Sequence, residues 1–266
     1  MTKGATITKA WPRSVGLTDQ GRVRRANEDS LLRDDELGLW LVADGMGGHA
    51  GGARASQLAV AAVSEAVREG LGLTVAARRA HERIRGEQGR YPELSAMGTT
   101  LVAVREFGGE CEICWTGDSR VYLYRGSEGG IRCLTRDHNV VRMLMDAGAL
   151  SREEAARHPR RHVLTDCLGQ PSEDPPRVDR LQLDWQLGDW LLLCTDGLTG
   201  ELSDQDIQQV MEDHRDDMAA AAQALVDKAL AAGGRDNVSV VLVAAPDMVS
   251  GEASLAGGWR RWFRRR

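Results

Sequence analysis

No apolar run in the sequence approaches the roughly 20 residues that a membrane-spanning helix needs, so a spanning segment is not expected. The first 30 residues are polar and charged and lack the apolar centre of a secretory signal. Five cysteines, an odd number without paired spacing, argue against a disulfide framework and for a reducing cytoplasm. Cys111 and Cys114 form a CxxC without a second pair, in a stretch of alternating polarity, which reads as a half-buried strand rather than a zinc or redox motif. No Gly/Pro/Ser-rich linker splits the first 245 of the 266 residues and no internal repeat is evident, so a single domain is expected. The domain also lacks the basic, aromatic-interleaved groove of a nucleic-acid binder.

The formal charge of −5 hides an asymmetry, because five arginines sit in the last seven residues. Without them the body of the chain carries about −10, which disfavours general nucleic-acid binding and suits an enzyme that concentrates divalent cations.

Four carboxylates stand at or beside turns marked by glycine or asparagine, at widely separated points. They are Glu28 in Arg24-Arg25-Ala26-Asn27-Glu28-Asp29, Asp44 in Asp44-Gly45-Met46-Gly47-Gly48-His49, Asp196 in Asp196-Gly197, and Asp236 in Asp236-Asn237. Asp44 and Asp196 each end an apolar run. A buried strand that delivers an acid at its tip places it at a sheet edge, where several tips can converge. Hard oxygen donors without Cys or His favour Mg²⁺ or Mn²⁺ over zinc.

Leu37 to Ala43 reads as a buried strand, and Ala55 to Val67 shows one apolar face at helical spacing. Thr100–Arg105, Cys111–Thr116, Val121–Arg125 and Ile131–Leu134 are short strands. The brief glycine-marked connections between them, Gly117-Asp118-Ser119 included, predict antiparallel hairpins. A helical period follows Asp137 through Met145 with Gly148 as its stop, and Ser151-Arg152-Glu153-Glu154 is a capping box. Trp190–Thr195 and Val238–Ala244 are further strands, with helices over Ser203–Asp213 and Met218–Leu230. Two antiparallel sheets with helices on their outer faces fit this order better than a doubly wound parallel sheet.

In order, RxxxED, DGMGGH, GTT, GDSR, DG and RDN resemble the metal-dependent serine/threonine protein phosphatases, the PPM or type 2C family, in their bacterial form. The resemblance implies an α+β, four-layer α-β-β-α sandwich with a small helical flap. Residues 1–247 would form the catalytic domain, with the flap at about 137–175 and a linker and tail at 248–266. It further implies two Mn²⁺ or Mg²⁺ ions, with a water between them as nucleophile. Asp44 would bridge them, with the carbonyl of Gly45 and Glu28 serving one ion, and Asp196 and Asp236 the other. Asp29 would act through water, and Asn237 would orient Asp236.

Arg24 matches the family's phosphate-binding arginine, whose fork suits phosphate oxygens, while Arg22 and Arg25 read as solvated charges. Asp118 taken alone is a turn aspartate that caps its own backbone. The resemblance makes it a ligand of a third, weaker ion together with Asp196. Where eukaryotic relatives carry a histidine directly after Asp-Gly, this chain has Met46, so His49 either replaces it as proton donor or merely caps a helix. Two other departures are Gly52-Ala53-Arg54-Ala55-Ser56 in place of GExAS, and Arg161-His162 with Asp166-Cys167-Leu168-Gly169 in the flap.

The expected activity is hydrolysis of phosphoserine and phosphothreonine in proteins, opposing a bacterial Ser/Thr kinase, by a cytoplasmic monomer. The alternatives are another metal-dependent phosphoesterase, such as a phosphodiesterase, or a non-catalytic phosphoprotein-binding module. Trp259 to Arg266 combines large aromatics with arginines, a composition that suits contact with an anionic inner membrane face.

Overall fold

The computed structural model describes residues 14–47, 51–107, 110–126, 130–172, 174–184 and 186–245. The chain begins with β1 (Ser14–Asp19), β2 (Ser30–Asp34), β3 (Leu39–Ala43) and the two-residue β4 (Gly45–Met46). Two long helices follow, α1 (Gly51–Arg68) and α2 (Leu73–Arg90), and then β5 (Gly98–Thr99), β6 (Leu101–Phe107), β7 (Glu110–Thr116), β8 (Arg120–Arg125) and β9 (Ile131–Cys133). After the short helices α3 (Val140–Asp146) and α4 (Arg152–Arg157) come β10 (Asp179–Leu183), β11 (Asp189–Cys194) and α5 (Asp196–Thr199). Helices α6 (Asp204–Asp213) and α7 (Met218–Ala232) and strand β12 (Val238–Ala244) complete it.

One five-stranded sheet has the order β1-β12-β11-β8-β9 and the other β10-β7-β6-β3-β2, with every pairing antiparallel. Side-chain alternation along each strand builds the layers. Trp40 and Val42 of β3 meet Val102, Val104, Leu191, Leu193, Val241 and Val243 between the sheets. Leu39 and Leu41 point the other way, into Ala55, Ala59, Val63, Ala77 and Ile84 of α1 and α2. On the opposite outer face Leu192, Val240 and Leu242 pack on Ile207, Leu225 and Val226 of α6 and α7. The expected four-layer sandwich is therefore present, and its inner strands read as continuous apolar runs because both of their faces are buried. No helix among the described residues is long and apolar enough to cross a membrane.

Most elements lie where the sequence places them. Ser151 and Ser203 both close capping boxes, with Glu154 and Asp206. One expectation is corrected: Gly117-Asp118-Ser119 is not a hairpin turn. Strand β7 pairs with β6 and β10, while β8 pairs with β9 and β11, so the turn carries the chain from one sheet to the other. Gly117 adopts φ 98°, and a Cβ there would lie 2.6 Å from the Thr100 side chain, which favours glycine at this step. The Cys111–Thr116 strand is buried on both faces rather than one. Three positions apart, Cys111 faces the inter-sheet layer and Cys114 the helix layer, which removes any shared metal or redox role.

Candidate active site

The acids converge because strand ends from both sheets meet at one rim. Asp44 directly follows β3, Asp118 lies between β7 and β8, Asp196 opens α5 directly after Thr195, and Asp236 and Glu28 stand just before β12 and β2. With Arg24, Gly45 and Met46 they line one cleft of about 680 Å³.

The backbone around Asp44 is held by the threonine pair of the GTT motif. Thr100 N–H (2.9 Å) and Thr99 Oγ1 (2.9 Å) donate to the Asp44 carbonyl, while the Asp44 N–H donates to Thr100 Oγ1 at 3.0 Å. Thr100 Oγ1 also lies 2.7 Å from Ser119 Oγ, so a single hydroxyl links the Asp44 and Asp118 segments. Glu28 is fixed by its main chain: its N–H donates to Asn237 Oδ1 (2.8 Å) and its carbonyl accepts from Ser56 Oγ (2.6 Å). Space around it is tight, since a Cβ on Gly45 would fall 2.1 Å from the Gly52 carbonyl oxygen and 2.5 Å from that of Glu28.

The Asn237 side-chain hydrogen bonds go to the Glu28 loop rather than to Asp236. The Asn237 backbone N–H donates to Asp236 Oδ1 (2.9 Å), while its side chain ties the Glu28 loop through Gln20 and Ala26 carbonyls at 2.8 and 2.9 Å. Asp29 sits behind the rim, its Oδ2 accepting from Thr195 Oγ1 (2.9 Å) and Ser239 Oγ (2.7 Å).

Like charges crowd this site. Burial pushes the Asp29 carboxyl up to about 7, with Asp196 and Asp236 adding to the rise against the two hydroxyl hydrogen bonds. Burial also raises Asp44 and Asp118 well above the usual carboxylate range, helped at Asp44 by Asp29 and Asp196 and at Asp118 by Asp196 and Asp137. Arg24 is the cation at the centre: its Nη2 lies 2.6 Å from Asp236 Oδ2, and that hydrogen bond raises the guanidinium pKa further.

The donor set fits divalent cations. Glu28 Oε1 and Asp29 Oδ1 are buried with no hydrogen-bond partner, and the neighbouring acids raise one another. Among the described residues no three acidic, His or Cys side chains already close round one point.

Thus the structure brings Arg24, Glu28, Asp44, Gly45, Asp118, Asp196 and Asp236 together, with Asp29 behind them. His49 lies outside the described residues. Among the described residues, the histidine that lines the cleft is His162, whose Nδ1 is 3.4 Å from Asp196 Oδ2. Its sequence departs from the family pattern there, but nothing local indicates that the segment folds back onto Asp196. Arg235 and Glu201 were also not foreseen. They pair on the rim, with the Arg235 N–H 3.0 Å from Glu201 Oε1 and its Nη2 3.2 Å from Oε2.

A two-sheet sandwich with acids converging at one rim and an arginine among them defines a phosphoester-hydrolase type of site. The chain matches the model of the family described as Protein phosphatase 2C over residues 21–233. It is 36% identical over 239 residues to Serine/threonine phosphatase stp of Listeria monocytogenes, spanning 85% of this chain and 93% of that protein. The crystal structure of the Mycobacterium tuberculosis phosphatase PstP/Ppp superposes with a TM-score of 0.78 at 36% identity, covering 87% of this chain and 97% of that one. The PstP catalytic domain solved with two manganese ions gives 0.76 at 34% identity, with the same coverage. The chain belongs to the protein phosphatase 2C family, and it is a serine/threonine protein phosphatase.

Proposed function

We propose that this phosphatase hydrolyses phosphoserine and phosphothreonine in proteins at the Asp44 cleft with Mn²⁺ or Mg²⁺ as cofactor. The observation that carries the reading is the convergence of Glu28, Asp44, Asp118, Asp196 and Asp236 around Arg24 in one cleft. The manganese in the related PstP catalytic domain supports it. Asp44, Glu28 and the Gly45 carbonyl would hold one ion, and Asp44, Asp196 and Asp236 a second. Asp118 with Asp196 would hold a weaker third, and Asp29 would act through water. Bound there, such ions neutralise phosphate charge and activate water for attack.

The chain's own residues do the rest. Arg24 turns its guanidinium from Asp236 to the phosphate oxygens. The Thr99 and Thr100 clamp fixes the Asp44 backbone, so the carboxylate needs little rearrangement during reaction. The segment at 137–175 acts as the flap, and its Arg161, His162 and Gln170 wall the cleft where a protein substrate would lie. The physiological opponent is a Ser/Thr kinase, and the catalytic domain is 1–247.

Membrane contact through Trp259 to Arg266 rests on composition alone, since those residues lie outside the described ones. Flotation with anionic vesicles of the full chain against a chain ending at Asp247 tests it, and equal lack of binding at low salt removes it.

Hydrolysis of an aryl phosphate and a phosphothreonine peptide should require added Mn²⁺ or Mg²⁺ and stop with a chelator. Thiol alkylation should leave it intact, because burial pushes the Cys114 thiol up to about 12 and that of cleft-lining Cys167 up to about 11. Turnover that survives metal removal, or that falls in step with alkylation, overturns the reading in favour of a covalent nucleophile.

A further inference from the structure

His138 stands at the junction of the flap with the Asp118 turn, outside the carboxylate set, and is 3% exposed. Its backbone N–H donates to the Gly117 carbonyl at 2.9 Å, and its ring Nδ1 accepts the Gly117 N–H at 3.4 Å. Both polar groups of the residue preceding Asp118 are therefore held by one histidine. On its other side, the His138 carbonyl accepts the Thr165 N–H at 2.9 Å, and Val140, two residues on, donates its N–H to the Val163 carbonyl at 2.9 Å. These bonds close the neck of the flap, where its outgoing and returning chains meet.

The ring is fixed at its far end as well. Its Nε2 lies 3.3 Å from Asp179 Oδ2, and Asp179 is gripped by Arg177 through Nε (2.8 Å) and Nη2 (2.6 Å). The Arg177 backbone N–H in turn donates to Asp166 Oδ1 at 2.9 Å, and Asp166 lines the cleft. A backbone N–H can only donate, so Nδ1 must be the bare nitrogen, which leaves the ring proton on Nε2, facing Asp179. Burial supports the neutral ring by lowering its pKa against the opposing pull of Asp179.

We propose that the His138 ring is a positioning element of the phosphatase: it locks the neck of the flap to the turn that carries Asp118, so both keep one relative placement when a protein substrate is bound. This rests on the phosphatase reading. The main-chain bonds survive replacement of His138 by any residue that keeps a backbone N–H; the ring adds a buried hydrogen bond to Gly117 and a part-buried one to Asp179, and these fix the neck's orientation. A small aryl phosphate meets only the cleft floor, whereas a phosphopeptide must also lie along the flap.

Full-length enzyme loaded with Mn²⁺ would be compared with His138→Ala and Asp179→Asn on p-nitrophenyl phosphate and a phosphothreonine peptide. In His138→Ala, kcat/KM for the peptide is expected to fall about tenfold or more while that for p-nitrophenyl phosphate stays within about threefold, since one buried hydrogen bond amounts to about one decade in rate. Below the melting temperature, trypsin should also cut after the exposed Arg157, Arg160 or Arg161 several-fold faster than in the parent. Asp179→Asn, which spares the Gly117 contact, should show the same pattern more weakly, and it decides the matter if His138→Ala does not fold. Equal fractional loss on both substrates, or an unchanged tryptic rate, overturns the lock. Failure of the parent enzyme on both substrates instead removes the phosphatase reading beneath it.

Discussion

Arg24 and Asp236, separated by 212 positions in the chain, form an exposed ion pair with Nη2 and Oδ2 2.6 Å apart in the lining of the cleft. The residue proposed to bind phosphate thus holds a carboxylate proposed to bind metal. Bound as proposed, phosphate would draw Arg24 from Asp236 Oδ2, and Arg24 would compete with the ion for that oxygen. In Arg24→Ala, KM for an aryl phosphate should rise about tenfold or more with a smaller change in kcat, as expected for contact made in both ground and transition states. Calorimetry should show Mn²⁺ binding to the free variant as tight as, or tighter than, to the parent. Markedly weaker Mn²⁺ binding would show that Arg24 supports the ion site rather than competing with it.

Asp44→Asn and Asp196→Asn should each lower kcat by about 10³ or more, because each removes a charged oxygen from the proposed ion pair. The Thr99 and Thr100 bonds to the Asp44 backbone do not involve its side chain, so Asp44→Asn should fold normally. Circular dichroism and thermal unfolding check the fold, and steady-state kinetics the loss. Parent-like turnover in a folded Asp44→Asn would mean that the carboxylate cluster is structural.

Asp118→Asn should leave the tight pair of ions bound, yet lower turnover on phosphopeptides. Burial and Asp196 push the Asp118 carboxyl up, so the neutral amide should also relieve repulsion in the metal-free protein. A melting temperature in chelator higher by about 2–4 °C is expected, corresponding to about 1 kcal/mol for a chain of this size. Loss of the tight ions in calorimetry would instead place Asp118 among their ligands.

Asp29 predicts how stability depends on pH. Its carboxyl moves from 3.8 to about 7 on folding, chiefly through burial. Across that window the folded, metal-free protein retains a proton that the unfolded chain has released. The stability associated with that proton is complete below the unfolded pKa and is lost as pH rises through the folded one. Asp44 and Asp118 are displaced in the same direction. In chelator the melting temperature should therefore fall between about pH 4 and about pH 7, and Asp29→Asn should flatten the slope. Saturating Mn²⁺ should offset most of the decline by binding the ionised folded form. A melting temperature that rises with pH in chelator would contradict the raised carboxyls.

Much of the architecture was legible locally. Asp44 and Asp196 follow apolar runs, and a strand that ends in an acid is specified by its own side chains and the turn after it. The same holds for α1, α7 and the capping boxes at Ser151 and Ser203, whose signals lie within a few residues. Helix α2 also had a readable face in Leu73, Ala76, Ala77, Ala80 and Ile84, which the many arginines and glutamates between them obscured.

The sequence by itself determined most of the strands, helices and turns, though β1, β2, β10 and α2 were not legible in it, and which oxygen donors are available, because backbone preference and side-chain periodicity act over short stretches. Only the tertiary structure decided that Gly117-Asp118-Ser119 crosses between sheets. A short glycine turn serves either a hairpin or a crossing, and the choice depends on β10 and β11, which claim the open edges of β7 and β8. It also decided that Arg24 meets Asp236, that His162 rather than another histidine reaches Asp196 among the described residues, and that His138 joins Gly117 to Asp179. These pairs lie tens to hundreds of residues apart. Their partners are set by how two sheets stack and where the segment between α3 and β10 folds back, which no local pattern encodes.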